Sequence, residues 1–353
     1  MTYTIGNNMI YINARFLTQE LTGVQRFAKE ISFKLNEIRN DLIFLVPDDG
    51  LLTSSNSKLN IKVIKGGNGH FWEQFTLPAY LRKVNNPLLL NLCNTGPAFY
   101  KNQIITHHDI TYVKYPQSFP FKFTAFYKML TPLILSNCKR ILTVSEFSRQ
   151  EIAEHYSCDL DKIDVVYNAV NASFKISSDK SIGQKKYLLA VSSPALHKNF
   201  HGLIHSFVKS NLDIDLIIIG AASKSISKID FNSDERIRFM GRVSDEKLIN
   251  LYQNATAFIF PSFYEGFGIP PLEAQACGCP VLSSDRASMK EILKDSVLYF
   301  DPQSADDISN SIFQIIDSSE LRRDLIRKGS VNVARFSWEQ SADQVNNIIN
   351  ACR

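Results

Sequence analysis

The stretch TAFIFPSFYEGFGIPPLEAQACGCPVLSSD, residues 256–285, contains a strand pattern, a loop, a helix pattern and a second strand pattern. TAFIFPS and CPVLSSD are short apolar runs bounded by turn residues, which is typical of buried strands. Pro270 and Pro271 suit the turn and the first positions of a helix PLEAQAC, and Gly278 suits the residue just past its end. A strand–helix–strand unit of this kind favours parallel pairing of its strands.

Two glutamates flank the glycine-rich turn inside this stretch. Glu265 is predicted on the loop above the strand end, and Glu273 in the first turn of the helix. Gly266 and Gly268 let backbone N–H groups approach a ligand, and a helix N-terminus attracts phosphate. Since a carboxylate beside a diphosphate must face hydroxyl groups to avoid repulsion, the pattern indicates hydroxyls at both ends of the ligand, as in a nucleoside diphosphate sugar. The alternative is a loop charge at Glu265 and a helix cap at Glu273.

The same alternation of short strands and amphipathic helices runs along most of the 353 residues. Strand-like runs from MIYINARF to IDVVYNAV alternate with helical patterns such as VQRFAKEISFKLNEI, and the alternation restarts at YLLAVSS. Between them, the polar stretch 171–186 is the best linker candidate. We therefore predict two doubly wound α/β domains, residues 1–172 and 173–337, followed by a C-terminal helix at 338–353. Such domains bind ligands beyond the carboxyl ends of parallel strands, here in a cleft between the domains.

Composition and missing motifs exclude several classes of protein. An apolar fraction of 44% with 21% charged residues is that of a folded chain, and a net charge of +4 is too weak to indicate nucleic-acid binding. No apolar run approaches the length of a membrane span, and the N-terminus lacks a secretory signal pattern. The six cysteines are scattered, which favours reduced thiols in the cytoplasm. Neither half contains G-x-G-x-x-G or a P-loop, which argues against a dinucleotide-dependent dehydrogenase.

The segment FYEGFGIPPLEAQACGCPVLSSD strongly resembles the E-x7-E signature of retaining glycosyltransferases of family 4, whose GT-B fold has two Rossmann-like domains with parallel sheets facing each other across a cleft. Other matches follow in the order of that family: INARFLTQELTGVQRFAKEI, GHFWEQFTLP, ITHHDITY, ILTVSEFSRQEI, VVYNAVN, HKNFHGLIHSF and GRVSDEKLINLYQNATAFIFPS. The last helix, near FSWEQ, resembles the one that crosses back to the N-terminal, acceptor-side domain. The resemblance spans nearly the whole chain and implies an α/β fold of the GT-B type.

The resemblance implies that the chain transfers a hexose from a nucleoside diphosphate sugar to a saccharide acceptor in bacterial surface polysaccharide biosynthesis, as in O-antigen, lipopolysaccharide or capsule. Similarity to O-antigen mannosyltransferases favours GDP-mannose as the donor, with UDP-hexoses and dTDP-rhamnose as alternatives. No carboxylate nucleophile is identifiable, so we expect same-face attack with the leaving diphosphate accepting the proton of the acceptor. A nucleotide-sugar epimerase or hydrolase of the same fold, and a catalytically silent binding subunit, are the other functions that stay open.

The resemblance also implies roles for single residues. Glu273 would hold the ribose diol, and Glu265 would hold hydroxyls of the transferred sugar and stabilise positive charge at its anomeric carbon. Lys198 would neutralise the leaving diphosphate, and His108 would face the donor sugar. We therefore expect Glu265, Lys198 and His108 to be catalytic. The other expected donor contacts are a glycine of the N-domain loop, residues of the base pocket and its approach, and backbone amides: Gly23, Arg242, Val243, Gly266, Phe267, Gly268 and Ile269.

One position departs from the pattern of the family. Many members carry an arginine about five residues before the lysine, where it acts as a second phosphate clamp. In this chain that place holds Ser193, with Pro194 beside it. We therefore include Ser193 among the donor-binding residues and expect His197 or Arg242 to share the charge of the phosphates.

No metal or other cofactor is expected in the chemistry. Adjacent His107 and His108 on a strand would point to opposite faces, so only His108 is expected at the site. His197, His201 and His205 repeat every four residues on a helix, but no acidic or cysteine partner is nearby. We therefore expect these three histidines at a surface or at the edge of a cleft rather than at a metal site.

Two Asp-x-Asp pairs imitate the metal-binding motif of the other glycosyltransferase fold. Asp213 and Asp215 lead into a strand, and Asp159 and Asp161 lie in a turn. We predict that both pairs are solvated loops, which gives no reason to expect a metal.

The segment 112–140 is dense in aromatic and basic residues. One interpretation is an ordinary packed helix and loop. The other is a face for the acceptor or for a membrane surface, because lysine with phenylalanine and tyrosine suits the lipid headgroup region. Since family acceptors are often lipid-linked saccharides, a peripheral contact with the inner face of the cytoplasmic membrane is the functional hypothesis for this segment.

Overall fold

The structure, a computed structural model, describes residues 9–48, 50, 58–177, 186–191, 193, 195–220 and 234–353. The chain divides into two compact units. Unit 1 comprises residues 1–113, 121–168 and 338–353, and unit 2 comprises residues 114–120 and 169–337. The sequence prediction had assigned 114–120 to the first domain. The predicted linker at 171–186 lies partly outside the described residues.

The described residues of unit 1 form a seven-stranded parallel sheet. Its strands are β1 Ile10–Asn13, β2 Leu42–Val46, β3 Ile61–Val63, β4 Leu89–Asn91, β5 Gln103–Thr106, β6 Arg140–Thr143 and β7 Ile163–Val165. They lie in the order β3-β2-β1-β4-β5-β6-β7. In this register Tyr11 is opposite both Ile43 and Leu89. Strands such as IYIN and LIFLV are almost continuously apolar, as expected when both faces of a parallel sheet are covered.

Between residues 9 and 168 the structure describes the helices α1 Gly23–Ile38, α2 Gly69–Phe71, α3 Leu77–Lys83, α4 Thr111–Lys114, α5 Phe121–Ser136 and α6 Glu146–Tyr156. A π-helical turn, Trp72–Thr76, joins α2 to α3. In α1, Phe27, Ile31 and Leu35 recur every four residues and are buried, because one stripe of an amphipathic helix faces the core. Short 3₁₀ turns also occur at Arg15–Thr18, Pro116–Ser118, Leu160–Lys162 and Leu196–Lys198.

In the part of unit 2 that the structure describes, six parallel strands form a second sheet in the order β10-β9-β8-β11-β12-β13. The strands are β8 Tyr187–Val191, β9 Asp215–Ile219, β10 Ile237–Phe239, β11 Ala257–Phe260, β12 Val281–Ser284 and β13 Leu298–Phe300. The helices are α7 Phe200–Ser210, α8 Asp245–Asn254, α9 Ile269–Ala276, α10 Met289–Leu293, α11 Ala305–Asp317 and α12 Ser319–Val333. A hydrophobic cluster joins this sheet to α7 and α11 through residues such as Leu188, Phe207, Ile259 and Ile312.

The last helix, α13 Trp338–Ala351, belongs to unit 1. Its Trp338 ring meets the edge of the Phe27 ring of α1, with 6.0 Å between ring centroids. The hydroxyl of Ser341 donates a hydrogen bond to the Tyr167 carbonyl at 2.7 Å. The chain therefore returns to the core of unit 1 after it has completed unit 2.

Each sheet reverses its strand order at one place, between β1 and β4 in unit 1 and between β8 and β11 in unit 2. Loops leave the two neighbouring strands in opposite directions at such a point, and a crevice opens beyond the carboxyl ends of the strands. In unit 2 the segments that follow β8 and β11 carry Lys198 and Glu265. In unit 1, β1 and β4 end at Asn13 and Asn91.

The prediction of a solvated loop is wrong for Asp215. Asp215 is the first residue of β9 and is buried, and its Oδ2 lies 2.7 Å from Nη2 of Arg238. The arginine comes from the neighbouring strand β10. The local sequence around Asp215 therefore does not reveal the cation that offsets the cost of burying this carboxylate. Asp213, Asp159 and Asp161 are exposed, in agreement with the prediction.

Helix α5 carries an exposed face that is both apolar and basic. Phe121 is 84% exposed and Met129 is 65% exposed, and Lys122, Lys128 and Leu133 are exposed beside them. These positions lie on one face because residues three, four and seven apart are neighbours on a helix. None of the helices that the structure describes is long and apolar enough to cross a bilayer.

Candidate active site

The backbone of the loop between β11 and α9, residues 261–268, is held by hydrogen bonds to neighbouring elements. Phe263 N–H donates to the His197 carbonyl at 2.8 Å, and the Ser288 hydroxyl donates to the Glu265 carbonyl at 2.9 Å. The partners come from the segment after β8 and from the start of α10. The backbone that carries Glu265 is therefore fixed by elements on both sides of the switch point of this sheet.

Helix α9 starts earlier than the sequence suggests. Gly268, at φ +89°, caps the helix, and Ile269 and Pro270 form its first positions. The prediction that Glu273 lies in the first helical turn is therefore wrong, because Glu273 is the fifth residue of the helix. A residue before proline is biased away from helical backbone, which had favoured a later start. The positive φ favours glycine at position 268, and a Cβ there would lie 2.6 Å from the Met289 Cε, so the end of the Met289 side chain would have to shift.

The end of α9 confirms the prediction for Gly278, which has φ +73°. Its N–H donates to the Gln275 carbonyl at 3.0 Å, and the N–H of Cys279 donates to the Ala274 carbonyl at 2.9 Å. These two bonds form a Schellman motif, which satisfies carbonyls that the last helical turn would otherwise leave unpaired. The helix is thus confined to eight residues, and β12 begins at Val281 after the short turn 277–280.

Lys198 and Glu265 form an ion pair in which Nζ lies 2.6 Å from Oε1. The side chains are 17% and 13% exposed, respectively. Lys198 ends the 3₁₀ turn after β8, and Asn199 follows at φ +54° and caps α7. The two charges are thus brought together by loops that follow neighbouring strands, and both retain some access to solvent.

Glu273 is buried on α9, and the Tyr252 hydroxyl lies 3.5 Å from its Oε2. Burial, together with the nearby carboxylate, raises the pKa of Tyr252 well above its ordinary value, so this phenol stays a hydrogen-bond donor. Phe267, also buried, packs against Phe336 with 5.5 Å between ring centroids. Gly266 is buried in the same loop. The acid predicted to bind ribose therefore lies one helical turn below the loop that carries Glu265.

His197 is buried rather than at a surface. Its Nδ1 lies 2.9 Å from the Ser118 hydroxyl, and its ring stacks on that of Phe119 at 6.1 Å, with Tyr115 6.0 Å away. These partners belong to the short segment 114–120, which clusters with unit 2. The prediction of a surface position is wrong for His197, because this segment covers the ring.

Ser193, Arg242 and Val243 lie in segments that follow strands at the same carboxyl edge of the sheet as Lys198. Ser193 follows β8 and is exposed. Arg242 and Val243 follow β10, the outermost strand, and are exposed and half-buried, respectively. The N–H of Gly220 donates to the Gly241 carbonyl at 2.9 Å and ties the ends of β9 and β10 together. The structure thus puts these residues at the carboxyl end of the sheet, two strands away from Lys198 in the case of Arg242.

The remaining predicted residues belong to unit 1. His108 is buried just past the end of β5, and its N–H donates to Asn94 Oδ1 at 2.9 Å. Burial lowers the pKa of His108 to about 4, although Asp109 acts in the opposite direction. His107 is fully buried with a pKa that burial likewise lowers to about 4, which fits the packing role predicted for it. Gly23 is the exposed first residue of α1.

The site thus combines predicted residues with others that the sequence did not single out. The hydroxyls of Ser288 and Ser118 hold the Glu265 carbonyl and the His197 ring, and an isolated serine gives no sequence signal for such a role. Within the described ranges, no group of three or more His, Cys, Asp or Glu side chains is placed to hold a metal ion. The groups of unit 2 that could act on a ligand are therefore the Lys198–Glu265 ion pair, the buried carboxylate of Glu273 and the N-terminus of α9.

Comparison with known protein families matches both halves of the chain. Residues 21–174 match the family described as Glycosyltransferase Family 4, and residues 173–331 match Glycosyl transferases group 1. The O-antigen chain mannosyltransferase RfbU of Salmonella typhimurium is 34% identical over 286 residues, which cover 78% of this chain and 76% of that protein. The O-antigen chain mannosyltransferase B of Escherichia coli is 30% identical over 276 residues, covering 71% and 72%.

Solved structures share the fold at lower identity. WaaG, a glycosyltransferase involved in lipopolysaccharide biosynthesis, superposes with a TM-score of 0.74 at 14% identity and covers 97% of this chain and 99% of its own. HepE of Anabaena, solved in complex with UDP and glucose, superposes with a TM-score of 0.78 at 15% identity and covers 98% and 99%. The predicted GT-B fold is confirmed by these likenesses.

Proposed function

This chain belongs to the glycosyltransferases in which a Glycosyltransferase Family 4 domain precedes a group 1 domain, and from this membership we propose that it transfers a hexose, with retention of configuration, from a nucleoside diphosphate sugar to a saccharide acceptor. The observation that carries the proposal is the 2.6 Å pair of Lys198 and Glu265 beside the N-terminus of α9. A cation and an anion at one switch point, beside the helix start that carries the backbone N–H groups of Gly268 and Ile269, suit a ligand that carries both phosphate and hydroxyl groups.

In the proposed mechanism the two members of the pair act on the two sides of the breaking bond. Lys198 stabilises the negative charge that builds on the leaving diphosphate, and Glu265 binds sugar hydroxyls and stabilises positive charge at the anomeric carbon. Glu273, buried lower on α9, binds the ribose diol. The leaving phosphate oxygen accepts the proton of the acceptor hydroxyl as the new glycosidic bond forms on the same face. The bond to phosphate breaks in that step, so no protein nucleophile is needed.

GDP-mannose is the donor that the relatives favour. RfbU and the mannosyltransferase B of Escherichia coli are O-antigen chain mannosyltransferases by name, and each covers more than two thirds of this chain. The same relatives support a role in bacterial O-antigen or related surface polysaccharide assembly. We propose no metal or organic cofactor, because the positive charge that the diphosphate needs is supplied by Lys198 and the start of α9.

A lipid-linked acceptor and a peripheral membrane contact are proposed from the exposed face of α5. Phe121, Met129 and Leu133 supply apolar surface, and Lys122 and Lys128 lie beside them. An amphipathic helix of this composition binds the headgroup region by burying apolar side chains while lysines attract anionic lipids. Such a contact would bring the enzyme to an acceptor that is anchored in the bilayer.

The proposed activity is tested by incubating the purified chain with GDP-mannose, UDP-glucose or dTDP-rhamnose and a panel of methyl hexosides, and by measuring release of the nucleoside diphosphate and formation of a disaccharide. We expect a disaccharide from GDP-mannose, and its anomeric configuration, read by NMR, should match that of the donor. Free sugar or an epimer without disaccharide would favour the epimerase or hydrolase alternative. Nucleotide binding without any turnover would favour the silent binding subunit.

A further inference from the structure

Unit 2 contains a cavity of about 370 Å³ at the amino-terminal edge of its sheet. Helix α10 runs from the end of β12 to the start of β13, so Lys294, just past α10, lies at the edge opposite Lys198 and Glu265. Helix α12 and the residues after it supply the other wall. Four cationic side chains line this cavity: Lys294, Arg327, Lys328 and Arg335. None of these four has a role in the donor site proposed above.

The cavity carries an excess of positive charge. The Asp324 carboxylate lies 2.7 Å from the Arg327 Nη2 and 3.0 Å from the Lys328 Nζ. Asp295 Oδ2 lies 3.5 Å from the same Nζ. Two carboxylates thus face four cations, which leaves two positive charges over among the residues that the structure describes. Exposed ion pairs of this kind are weak, and a cleft lined mainly by one charge concentrates ions of the opposite charge, so the cavity suits an anion.

Lys294 holds a backbone conformation that favours glycine. It caps the end of α10 at φ +48° and ψ −125°, where the Cβ of an L residue is crowded. Gly278, just past the end of α9, has φ +73° and is the ordinary residue at such a place. Strained residues of this kind cluster at ligand clamps and other functional sites. Since the Lys294 side chain lines the cavity, a role in binding accounts for lysine at this position.

Arg335 is held in a fixed orientation in the wall of the cavity. Its Nη1 donates to the Ile292 carbonyl at 3.1 Å and to Asn332 Oδ1 at 2.6 Å. Its Nη2 donates to the Glu291 carbonyl at 3.4 Å. Asn332 is itself buried, and its amide donates to Gln275 Oε1 at 2.9 Å. A guanidinium has more N–H donors than these bonds use, and its planar fork matches the oxygens of a phosphate. The cavity thus combines a rigid arginine with an exposed lysine.

We propose that this cavity binds a small phosphate monoester, with Lys294 and Arg335 contacting the phosphate oxygens and Val331 contacting the organic part. A phosphate monoester carries about −1.5 to −2 charges at pH 7, which matches the excess of positive charge in the cavity. The exposed Val331 adds apolar surface, and the volume lies within the roughly 300–1,000 Å³ of small-molecule sites. The assignment goes beyond the proposed function and does not depend on it.

Calorimetric titration of the full chain with glycerol 3-phosphate and with ribose 5-phosphate, at low salt and with excess GDP to occupy the donor site, tests the proposal. We expect wild-type protein to bind at least one of these esters, with one molecule per chain, and to bind neither glycerol nor ribose. Lys294→Ala should weaken the affinity about tenfold, as the loss of one charge-assisted hydrogen bond would do, and Lys294→Arg should restore most of it. Lys209→Ala, at an exposed lysine of the same unit outside the cavity, is the matched control and should bind like wild type.

Lys294→Gly separates binding from folding. Glycine relieves the backbone strain at this position, so we expect the melting temperature to rise while the affinity for the ester falls about tenfold. Lys198→Ala should keep the wild-type affinity, which shows without GDP that the ester binds outside the donor site. No binding of either ester to wild-type protein, or wild-type affinity in both Lys294→Ala and Lys294→Gly, overturns the proposal. Loss of ester binding in Lys198→Ala would move the ester to the donor site and overturn it as well.

Discussion

The ammonium group of Lys198 lies 2.6 Å from Oε1 of Glu265, although the two side chains are assigned to different parts of the donor. Lys198 is proposed to act on the diphosphate and Glu265 on the transferred sugar. In a nucleoside diphosphate sugar these parts are joined by the bond that breaks, so groups acting on either side of it must themselves be close. The ion pair therefore marks the position that the proposed reaction centre would take.

Removing either member of this pair should reduce turnover far more than stability. For Lys198→Ala and Glu265→Ala we expect kcat for sugar transfer to fall at least about 100-fold, in the range found when one transition-state contact is lost. The free energy of unfolding should fall by roughly 1–3 kcal/mol, because each change leaves a partly buried charge unpaired. Steady-state kinetics and chemical denaturation measure the two effects.

The exposed pair of Lys209 and Asp306, also 2.6 Å apart, is the matched control in the same unit. Lys209→Ala and Asp306→Ala should leave both turnover and stability nearly unchanged, since exposed pairs contribute little. Wild-type transfer by both Lys198→Ala and Glu265→Ala would remove the pair from the mechanism.

Glu273→Gln should weaken nucleotide binding specifically. A neutral amide replaces a carboxylate that is proposed to accept two hydrogen bonds from the ribose, so we expect the affinity for GDP to fall about tenfold. Calorimetric titration with GDP, UDP and dTDP measures the effect and ranks the three bases in wild-type protein. Glu246→Gln, at an exposed glutamate of the same unit, should bind all three like wild type. Unchanged affinity in Glu273→Gln would contradict the ribose assignment.

Gly268→Ala should destabilise unit 2 and impair donor binding. The φ of +89° is strained for alanine, at a cost of about 1–3 kcal/mol, and the new Cβ would meet the Met289 Cε at 2.6 Å. Relief of the φ strain moves the start of α9 together with the amides of the loop. Gly50→Ala, where φ is +81° and nothing lies within 4 Å of the added Cβ, controls for backbone strain without a clash. Equal melting temperatures for the two variants would show that the contact with Met289 has no effect.

The stability of the folded chain should fall as the pH is lowered from about 6.5 to about 4. Burial lowers the pKa of both His107 and His108 from 6.5 to about 4, so in this window the unfolded state binds protons that the folded state does not. Each such proton contributes a slope of up to about 1.4 kcal/mol per pH unit. The free energy of unfolding, measured by denaturant titration across this range, checks the sign and the slope.

His107→Gln should flatten that dependence while keeping a polar side chain beside Tyr112. His205→Gln, at an exposed histidine of unit 2, should leave the slope as it is in wild type. A slope that does not change in His107→Gln would mean that the acid sensitivity arises elsewhere.

Binding to anionic vesicles should depend on the exposed face of α5. Phe121→Ser with Met129→Ser should reduce binding to vesicles that contain phosphatidylglycerol, because the apolar groups that enter the headgroup region are removed. Phe313→Ser with Val331→Ser, two similarly exposed apolar residues of unit 2, is the control and should bind like wild type. Sedimentation with vesicles at low salt measures the effect, and wild-type protein that does not sediment would contradict a membrane contact.

Much of the scaffold could be predicted from local signals. Apolar runs in the first and second halves became the strands of two parallel sheets, and Gly278 ended α9 as its position after the helix pattern indicated. The start of α9 was misplaced because two prolines in succession bias the preceding backbone away from helix, whereas Gly268 at positive φ allowed an earlier start. The donor-site roles carried over from the family stay predictions, and the variants above test them.

The sequence by itself determined the alternation of strands and helices, the two glutamates on one loop–helix segment and the residue that ends the helix. These features follow from hydrophobic periodicity and from the φ preferences of proline and glycine, which act within a few residues. Only the tertiary structure decided that Lys198 pairs with Glu265 across 67 residues, that His197 meets Ser118 across 79, and that Asp215 is buried against Arg238. The physical reason is that such contacts depend on which strands are neighbours in a sheet, and strand order is set by the packing of each whole unit.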